Sequence, residues 1–391
     1  MSSDTPVLFH DLSFVPEGDE TVVGRLDTGS YAVLPADGAA LLGRMADGMS
    51  PERAAEWYES EFGEPIDMDD FLETLHELGF VRTGETVAET RPVRFQKLGA
   101  AAFSPLAWLV YLAITVTWLV LGARHDDLLP DPHQFFFVQS ALVVQVVITF
   151  GQLPLVFLHE GFHTLAGRRL GLPSKLGMSN RFMYIVFETR MNGLFSVESR
   201  KRYLPFLSGM LADVVVLGLL GLLAHVTRDA SGALSLTGRV AIALGFTVVM
   251  RLIWQFQLYL RTDLYYVFST ALRCHDLHDA AVTLLRNRMW RALRRPERVV
   301  DESQWTEHDR KAGRWYGPFV LLGIVVMLGL AIFGSIPIVL QYVEIIGRNL
   351  GSGHLDLYFW DAVVSLVINV GQLALVAHLA RRKRRIGREV S

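Results

Sequence analysis

The chain of 391 residues contains a single cysteine, Cys274. One thiol cannot form an intramolecular disulfide, and it cannot supply the thiolates of a cysteine-based zinc site. Any metal ion must therefore be held by histidine, aspartate or glutamate side chains. The N-terminus also lacks the basic segment and following apolar run of a cleaved signal peptide. We therefore expect the first 90 residues to stay in the cytoplasm.

Basic residues are scarce in these first 90 residues, which hold four lysines and arginines against 20 aspartates and glutamates. The rest of the chain contains 33 basic and 20 acidic residues. An acidic unit thus precedes a basic one. We predict a small domain over residues 1–83, a polar linker over residues 84–100 and a membrane domain over residues 101–391.

Apolar residues make up 51% of the chain, and the mean hydropathy is +0.30. They are gathered into long runs, each near the ~20 residues that a helix needs to cross a bilayer. The runs cover about 104–123, 135–165, 204–226, 239–262, 316–343 and 358–380. This pattern predicts an α-helical polytopic membrane protein with about six transmembrane helices.

Lysines and arginines are concentrated in alternate loops of this predicted bundle. They collect in residues 168–202, 273–314 and 380–388, whereas the intervening loops carry few. By the positive-inside rule, both termini face the cytoplasm. The second and fourth predicted spans then both end at the cytoplasmic side.

The second predicted span contains LPLVFLHEGFHTLAGRRLG, residues 153–171, with His159, Glu160 and His163 inside an apolar run. Residues i and i+4 share one face of a helix, so both imidazoles can reach one metal ion beside Glu160. Zinc binds neutral imidazole and activates water, and a nearby carboxylate can move the proton. Unpaired polar groups cost several kcal/mol in hydrocarbon. The pattern therefore indicates a zinc centre with Glu160 as catalytic base, in preference to a structural polar cluster.

These residues resemble the site-2-protease-like intramembrane zinc metalloproteases, especially their bacterial peptide zinc metalloprotease branch. The small-residue helix of that family is similar to LSGMLADVVV at 207–216, and its aspartate-bearing helix is similar to QLYLRTDLYYVF at 257–268. The resemblance covers about residues 100–275 and implies that Asp263 is the third zinc ligand. It also implies a multi-pass protein of the bacterial inner membrane. Where the family has Asn, Pro, Gly, Pro and Asn, this chain has Gln257, Leu258, Leu264, Met210 and Asp213.

A second aspartate competes for the role of third ligand. Asp213 lies about ten residues inside the third predicted span, and Arg251 lies in the middle of the fourth. Each charge needs a partner within a membrane, and an ion pair would satisfy both. That pairing assigns Asp263 to the metal and keeps Asp213 nearby as a substrate or oxyanion neighbour, acting through a bound water or in its protonated form.

The segment after the metal motif, residues 175–193, contains the β-favouring run FMYIVFET between turn residues. This pattern predicts a short hairpin. Its edge could hold an extended substrate by main-chain hydrogen bonds, with Phe182, Tyr184 and Val186 as substrate-strand candidates. The alternative is an ordinary cytoplasmic loop with an apolar patch.

The N-terminal region predicts two strands, TVVGRL and SYAVLP, joined by Asp27, Thr28 and Gly29. Helical stretches follow at about 36–46, 51–62 and 68–79. The order is that of a small α+β, winged-helix-like domain.

This order resembles the PqqD-like fold, a recognition element for precursors of ribosomally made, modified peptides. The resemblance implies that a leader peptide adds as a strand beside the wing and packs on the third helix. Leader-binding candidates are Tyr31, Val33, Phe71 and Leu75. The alternative is a winged-helix-like domain that serves only assembly or regulation.

Together these features predict an intramembrane zinc metalloprotease with Zn2+ as cofactor, which hydrolyses a peptide bond of a precursor peptide captured by its N-terminal domain. Leader removal during peptide maturation is the specific function that we expect. The expected partners are the precursor peptide and the lipid bilayer, and no nucleic acid. The alternatives are regulated proteolysis of a membrane-anchored signalling protein, and a non-catalytic transport or immunity protein on a protease scaffold.

Overall fold

The computed structural model describes most of the chain. The described residues are 5–18, 20–25, 28, 30–82, 93–181, 184–191, 193–274, 276–303, 305–330, 332–333, 336–352 and 356–389. The chain divides into two compact units. The first comprises Met1–Phe103, His163–Leu176 and Thr189–Pro205, and the second comprises Ser104–Phe162, Gly177–Glu188 and Phe206–Ser391.

The N-terminal region forms a three-stranded antiparallel sheet of β1 (Leu12–Glu17), β2 (Glu20–Arg25) and β3 (Tyr31–Pro35), in the order β1-β2-β3. Strands β2 and β3 were predicted from the sequence, whereas β1 was not. Pro16 lies within β1, where its missing N–H is tolerated because β1 is an edge strand.

Three helices follow this sheet in the chain: α1 (Ala36–Ala46), α2 (Pro51–Phe62) and α3 (Met68–Glu77). Their bounds agree with the predicted stretches to within two residues. Pro51 begins α2, and Gly63 ends it with a φ of 78°. The side chain of Asp67 caps α3 by accepting a hydrogen bond from the backbone N–H of Asp70 at 3.1 Å. Most of the predicted linker, residues 84–92, lies outside the described residues, and Gln96–Ala102 form helix α4.

Five helices in the described part of the chain are long and apolar enough to cross a membrane. They are α5 (Pro105–Gly122), α6 (Ala141–Arg169), α7 (Ser199–Val226), α8 (Leu236–Trp254) and α11 (Glu307–Leu330). A shorter apolar stretch, Leu357–Gln372, begins α13 (Leu357–Glu389). These helices are those of a polytopic membrane protein, close to the predicted count of about six.

Two predicted spans differ in their bounds from the described helices. The run at 316–343 contains the last described residues of α11, up to Leu330, and the first turns of a further helix, α12 (Ile336–Ser352). The run at 239–262 ends as a helix at Trp254, and α9 (Asp263–Ala271) starts afresh after an irregular segment. Asp263 is therefore the first residue of α9, and it does not lie on the fourth span.

The hairpin predicted at 175–193 is present as β4 (Ser174–Arg181) paired with β5 (Tyr184–Met191). The basic segment after Cys274 forms α10 (Leu277–Ala292). Buried residues of α10, including Leu277 and Ala281, share one core cluster with Tyr316 and Val320 of α11. The apolar face of α10 is thus packed against protein.

Candidate metal centre

The metal motif lies near the C-terminal end of α6, which is continuous from Ala141 to Arg169. Its three polar side chains are nearly inaccessible: His159 is 5% exposed, Glu160 7% and His163 4%. The division between the two units falls inside this helix, after Phe162. The helix itself therefore holds the two histidines one turn apart, about 6 Å along its axis.

Both ring nitrogens of His159 face a carboxylate. Its Nδ1 lies 3.0 Å from Asp213 Oδ2, and its Nε2 lies 3.3 Å from Asp263 Oδ2. An ionised carboxylate only accepts hydrogen bonds, so Nδ1 carries a proton that it donates to Asp213. In the neutral imidazole the lone pair is then on Nε2, directed at Asp263.

His163 has a matching arrangement. Its Nδ1 lies 2.7 Å from the carbonyl oxygen of Pro205, near the start of α7. A carbonyl oxygen can only accept, so Nδ1 donates and the lone pair of the neutral ring is on Nε2. Both histidines thus have the tautomer in which Nε2 can bind a metal ion.

Asp263 is placed by the irregular segment between α8 and α9. Its backbone N–H donates to Gln255 Oε1 at 3.0 Å, and Thr262 Oγ1 donates to the carbonyl of Gln255 at 2.6 Å. Gln255 is only 6% exposed, so these two hydrogen bonds form inside the protein, across the irregular segment between α8 and α9. The Asp263 side chain remains 24% exposed. Its carboxylate is therefore the most accessible of the three candidate ligands.

His159, His163 and Asp263 each offer one ligand atom, and these atoms all lie within 4.8 Å of one another. Zinc bonds of about 2.0–2.2 Å at tetrahedral angles place neighbouring ligand atoms roughly 3.3–3.6 Å apart. The separation of 3.3 Å between His159 Nε2 and Asp263 Oδ2 falls in that range. A proton on Nε2 or a metal ion can lie between these two atoms, and the donor types and this separation fit a zinc ion.

Asp213 and Arg251 form the ion pair that the sequence analysis expected. Arg251 Nε lies 3.0 Å from Asp213 Oδ2 and 3.2 Å from Oδ1, and its Nη2 also binds Oδ1. Asp213 has no exposed surface. Its second partner, His159 Nδ1, was not anticipated, because the contact joins residues 54 positions apart.

The substrate-strand candidates lie at the hairpin. Phe182 lies outside the described residues, whereas Tyr184 and Val186 belong to β5. Later residues of β5 contact the metal-bearing helix. The ring centroids of Phe187 and Phe157 are 5.1 Å apart, and the hydroxyls of Thr189 and Thr164 are 3.4 Å apart.

The leader-binding candidates lie in the N-terminal domain. Tyr31 begins β3, and its ring lies 5.2 Å from that of Phe195. Val33 pairs with Val22 across β2 and β3. Phe71 on α3 is partly buried, and Leu75 has no exposed surface because it belongs to the core of the domain. The prediction that Leu75 binds a leader peptide is therefore wrong, because Leu75 presents no surface to a peptide.

Two groups that support the candidate ligands, Gln255 and the Pro205 carbonyl, were not predicted from the sequence. Pro205 did carry a signal, because a proline within an apolar helix marks an irregular turn. Gln255 carried no such signal beyond its polarity at the end of a predicted span.

Comparison of the chain with protein-family models, with curated proteins and with solved structures finds no match.

Proposed function

We propose that this chain is a membrane-embedded zinc metalloendopeptidase. The observation that carries the proposal is the facing pair of acceptors, His159 Nε2 and Asp263 Oδ2, beside His163 one helical turn away. In a merely structural cluster, a proton on His159 would have to fill the position between them. A divalent cation fills it with all three side chains as ligands.

His159, His163 and Asp263 would hold the ion through two nitrogen donors and one oxygen donor. Three protein ligands with one further open position are typical of catalytic zinc, whereas structural zinc has four protein ligands. When bound, zinc would polarise a scissile carbonyl and lower the pKa of a water ligand to about 7.

Glu160 follows His159 on the helix and is the candidate base. Its carboxylate would accept a proton from the attacking water as the water oxygen bonds to the carbonyl carbon. The same group would deliver that proton to the departing amine nitrogen as the C–N bond breaks. The low exposure of Glu160 supports this role, since bulk water is largely excluded around it.

The hairpin supports a peptide substrate. The contacts of Phe187 with Phe157 and of Thr189 with Thr164 set β5 beside the turns of α6 that flank the metal motif. A peptide added as an extended strand to this hairpin would run close to the candidate ligands. Protease substrates must be extended locally, so a strand edge is a suitable platform.

The N-terminal domain would capture the substrate, a precursor peptide whose leader is then removed. Its described sheet ends in the edge strand β3, to which an extended peptide could add as a further strand, and α3 belongs to the same domain. The proposed location is the bacterial inner membrane, with both termini cytoplasmic. The distribution of basic residues supports this orientation.

The test uses the full chain purified in detergent, with zinc content and cleavage of a quenched-fluorescent peptide library as readouts. We expect one zinc per chain and zinc-dependent cleavage. Glu160→Gln should keep the zinc and lose cleavage by at least the ~10²-fold typical of a general base. Glu198→Gln, the same change at an exposed glutamate of the segment before α7, is the control.

Two results would contradict the proposal. Parent protein without zinc after growth and purification in zinc-containing medium would remove the metal centre. Undiminished cleavage by the Glu160→Gln variant would remove Glu160 from its role. Cleavage of membrane-anchored proteins but not of precursor peptides would replace leader removal by regulated proteolysis.

A further inference from the structure

Asp213 is the most deeply buried charged residue next to the candidate metal centre, with an exposure of 0%. It lies in α7, a candidate membrane span. Its carboxylate accepts hydrogen bonds from two sides: from His159 Nδ1 at 3.0 Å and from the Arg251 guanidinium through both oxygens. A lone carboxylate at this depth would be strongly disfavoured, so these donors account for its presence.

This arrangement excludes two other roles for Asp213. Nδ1 and Nε2 lie on opposite edges of the imidazole ring and direct their bonds away from each other. A metal ion bound to His159 Nε2 therefore lies on the Asp263 side, away from Asp213. An ionised carboxylate also cannot donate a hydrogen bond, so it cannot stabilise an oxyanion. Asp213 is thus neither the third ligand nor an oxyanion partner.

We propose that Asp213, held by Arg251, is a positioning residue for the metal ligand His159. The hydrogen bond from Nδ1 keeps the proton on that nitrogen and turns Nε2 toward Asp263. A carboxylate that accepts a hydrogen bond from the non-ligating nitrogen of a histidine also increases the basicity of the ring. Losing such a partner typically costs ~10–100-fold in metal affinity. This inference rests on the proposed metal centre.

Arg251 has a separate task in the same arrangement. Its guanidinium binds both oxygens of Asp213, so the plane of the carboxylate is fixed relative to His159. Its positive charge also offsets the carboxylate, which lets the pair remain inside the membrane domain. Lysine cannot reproduce the two-pronged contact, so the geometry selects arginine.

The experiment measures zinc affinity of the full chain by competition with a chelator, together with the visible absorption spectrum of the Co2+-loaded protein. The variants are Asp213→Leu, which removes the acceptor, and Asp213→Asn, which keeps an acceptor oxygen but removes the charge. We expect ~10–100-fold weaker zinc binding and an altered Co2+ spectrum for Asp213→Leu. Asp213→Asn should fall between Asp213→Leu and the parent.

The control is Asp361→Asn, at a residue of α13 that contacts the start of α6, at the end remote from the candidate ligands. Asp361 accepts hydrogen bonds from Ser140 Oγ and from the backbone N–H groups of Ala141 and Leu142, so it caps α6. This variant makes the same chemical change without touching a candidate ligand. Its zinc affinity and Co2+ spectrum should equal those of the parent.

A double variant, Asp213→Asn with Arg251→Gln, guards against unfolding caused by an unpaired buried arginine. It removes both charges while keeping side chains of similar size. Persistent loss of zinc affinity in this folded double variant supports the positioning role. Recovery of the parent affinity would overturn it, because the single-variant loss would then come only from the uncompensated Arg251 charge.

His163→Ala separates this inference from the proposed function. If the parent binds zinc, His163→Ala loses it, and all Asp213 variants match the parent, only the positioning role is overturned. If the parent binds no zinc, the metal centre fails and the positioning role fails with it.

Discussion

At the scale of single residues, the tautomer of each histidine in the candidate centre is set by the acceptor that its Nδ1 contacts. Asp213 and the Pro205 carbonyl each accept from an Nδ1–H, so both histidines direct Nε2 toward the candidate ion. Asp263 completes the set from a different part of the chain. Removing the Asp263 carboxylate is therefore the most direct test of the ligand set.

We predict that Asp263→Ala weakens zinc binding by more than the ~10–100-fold typical of losing an outer hydrogen-bond partner, because it removes a direct ligand. Zinc content after dialysis against a chelator measures this. Asp279→Ala is the matched control, since Asp279 is an exposed carboxylate on α10. Zinc retained by Asp263→Ala but lost by Asp213→Ala would show that the wrong aspartate had been assigned.

Cys274 is a second residue whose behaviour follows from its surroundings. It is 3% exposed, and burial raises the pKa of its thiol to about 12, with the Asp309 carboxylate adding to the increase. We predict that the native protein reacts with maleimide at neutral pH at least ~100-fold more slowly than the unfolded protein, because the thiolate is the reactive form. Mass spectrometry over time measures the labelling.

The same shift has a consequence for stability. Because the thiol has the higher pKa in the folded protein, the protonated thiol favours the folded state. This contribution to the free energy of unfolding is fully present below the unfolded pKa of 9.0 and is lost as pH rises toward the folded pKa of about 12.

Cys274→Ala should retain cleavage. Rapid native labelling, or loss of cleavage in this variant, would contradict the inert role assigned to the thiol.

At the scale of elements, α4 approaches the end of α6 through Gly99. A Cβ on Gly99 would lie 2.4 Å from the carbonyl oxygen of Leu165 and 3.0 Å from the backbone nitrogen of Arg169. Both are backbone atoms of α6, which cannot move aside as a flexible side chain can. The close packing of the two helices therefore depends on the absence of a side chain.

We predict that Gly99→Ala destabilises the protein by about 1–3 kcal/mol, the usual cost of overpacking. The measurement is thermal unfolding in detergent. Gly43→Ala, in the middle of α1, is the control because a Cβ there meets nothing within 4 Å. That variant should be neutral or slightly stabilising, since alanine favours helix more than glycine. Equal behaviour of the two variants would refute the close contact.

At the scale of the whole molecule, the N-terminal sheet contacts the first turn of α7 within one compact unit. Arg202 is 2% exposed and pairs with Glu17 of β1 at 2.7 Å. It also donates to the carbonyls of Val197 and Phe195 at 2.6 Å each. Three residues further on, the Pro205 carbonyl accepts from His163.

We predict that Glu17→Gln destabilises the protein because it leaves the buried Arg202 charge without a carboxylate. Breaking a buried pair typically costs about 3–5 kcal/mol, whereas an exposed pair such as Lys201 with Glu198 contributes little. Adding Arg202→Met should recover much of the loss. Thermal unfolding of the single and double variants measures this, and an unchanged Glu17→Gln variant would refute it.

We also predict that deleting residues 1–90, combined with Arg202→Met to avoid an unpaired charge, raises the KM for a full precursor at least ~10-fold. Hydrolysis of a short peptide at high concentration should change little. Tethered recognition raises the local substrate concentration without touching the chemistry. Equal loss of both activities would mean that the domain supports structure and does not capture substrate.

Much of this architecture followed from local patterns in the sequence. The alternation in β2 and β3, the helical patterns of α1 to α3, and most of the long apolar runs predicted elements close to their observed bounds. Each of these signals acts over a few residues. The break after Trp254 was missed because it depends on Gln255 binding the backbone of Asp263, eight residues later.

The sequence by itself determined which groups are available for a metal centre. The chain has one cysteine, a histidine pair at helical spacing with an adjacent glutamate, and charged residues that require partners within an apolar bundle. Only the tertiary structure decided how those charges are distributed. Asp213 lies within α7 and Asp263 begins α9, and the two carboxylates face opposite nitrogens of one imidazole ring. That difference arises where α6, α7 and α9 meet, so no local pattern in the chain encodes it.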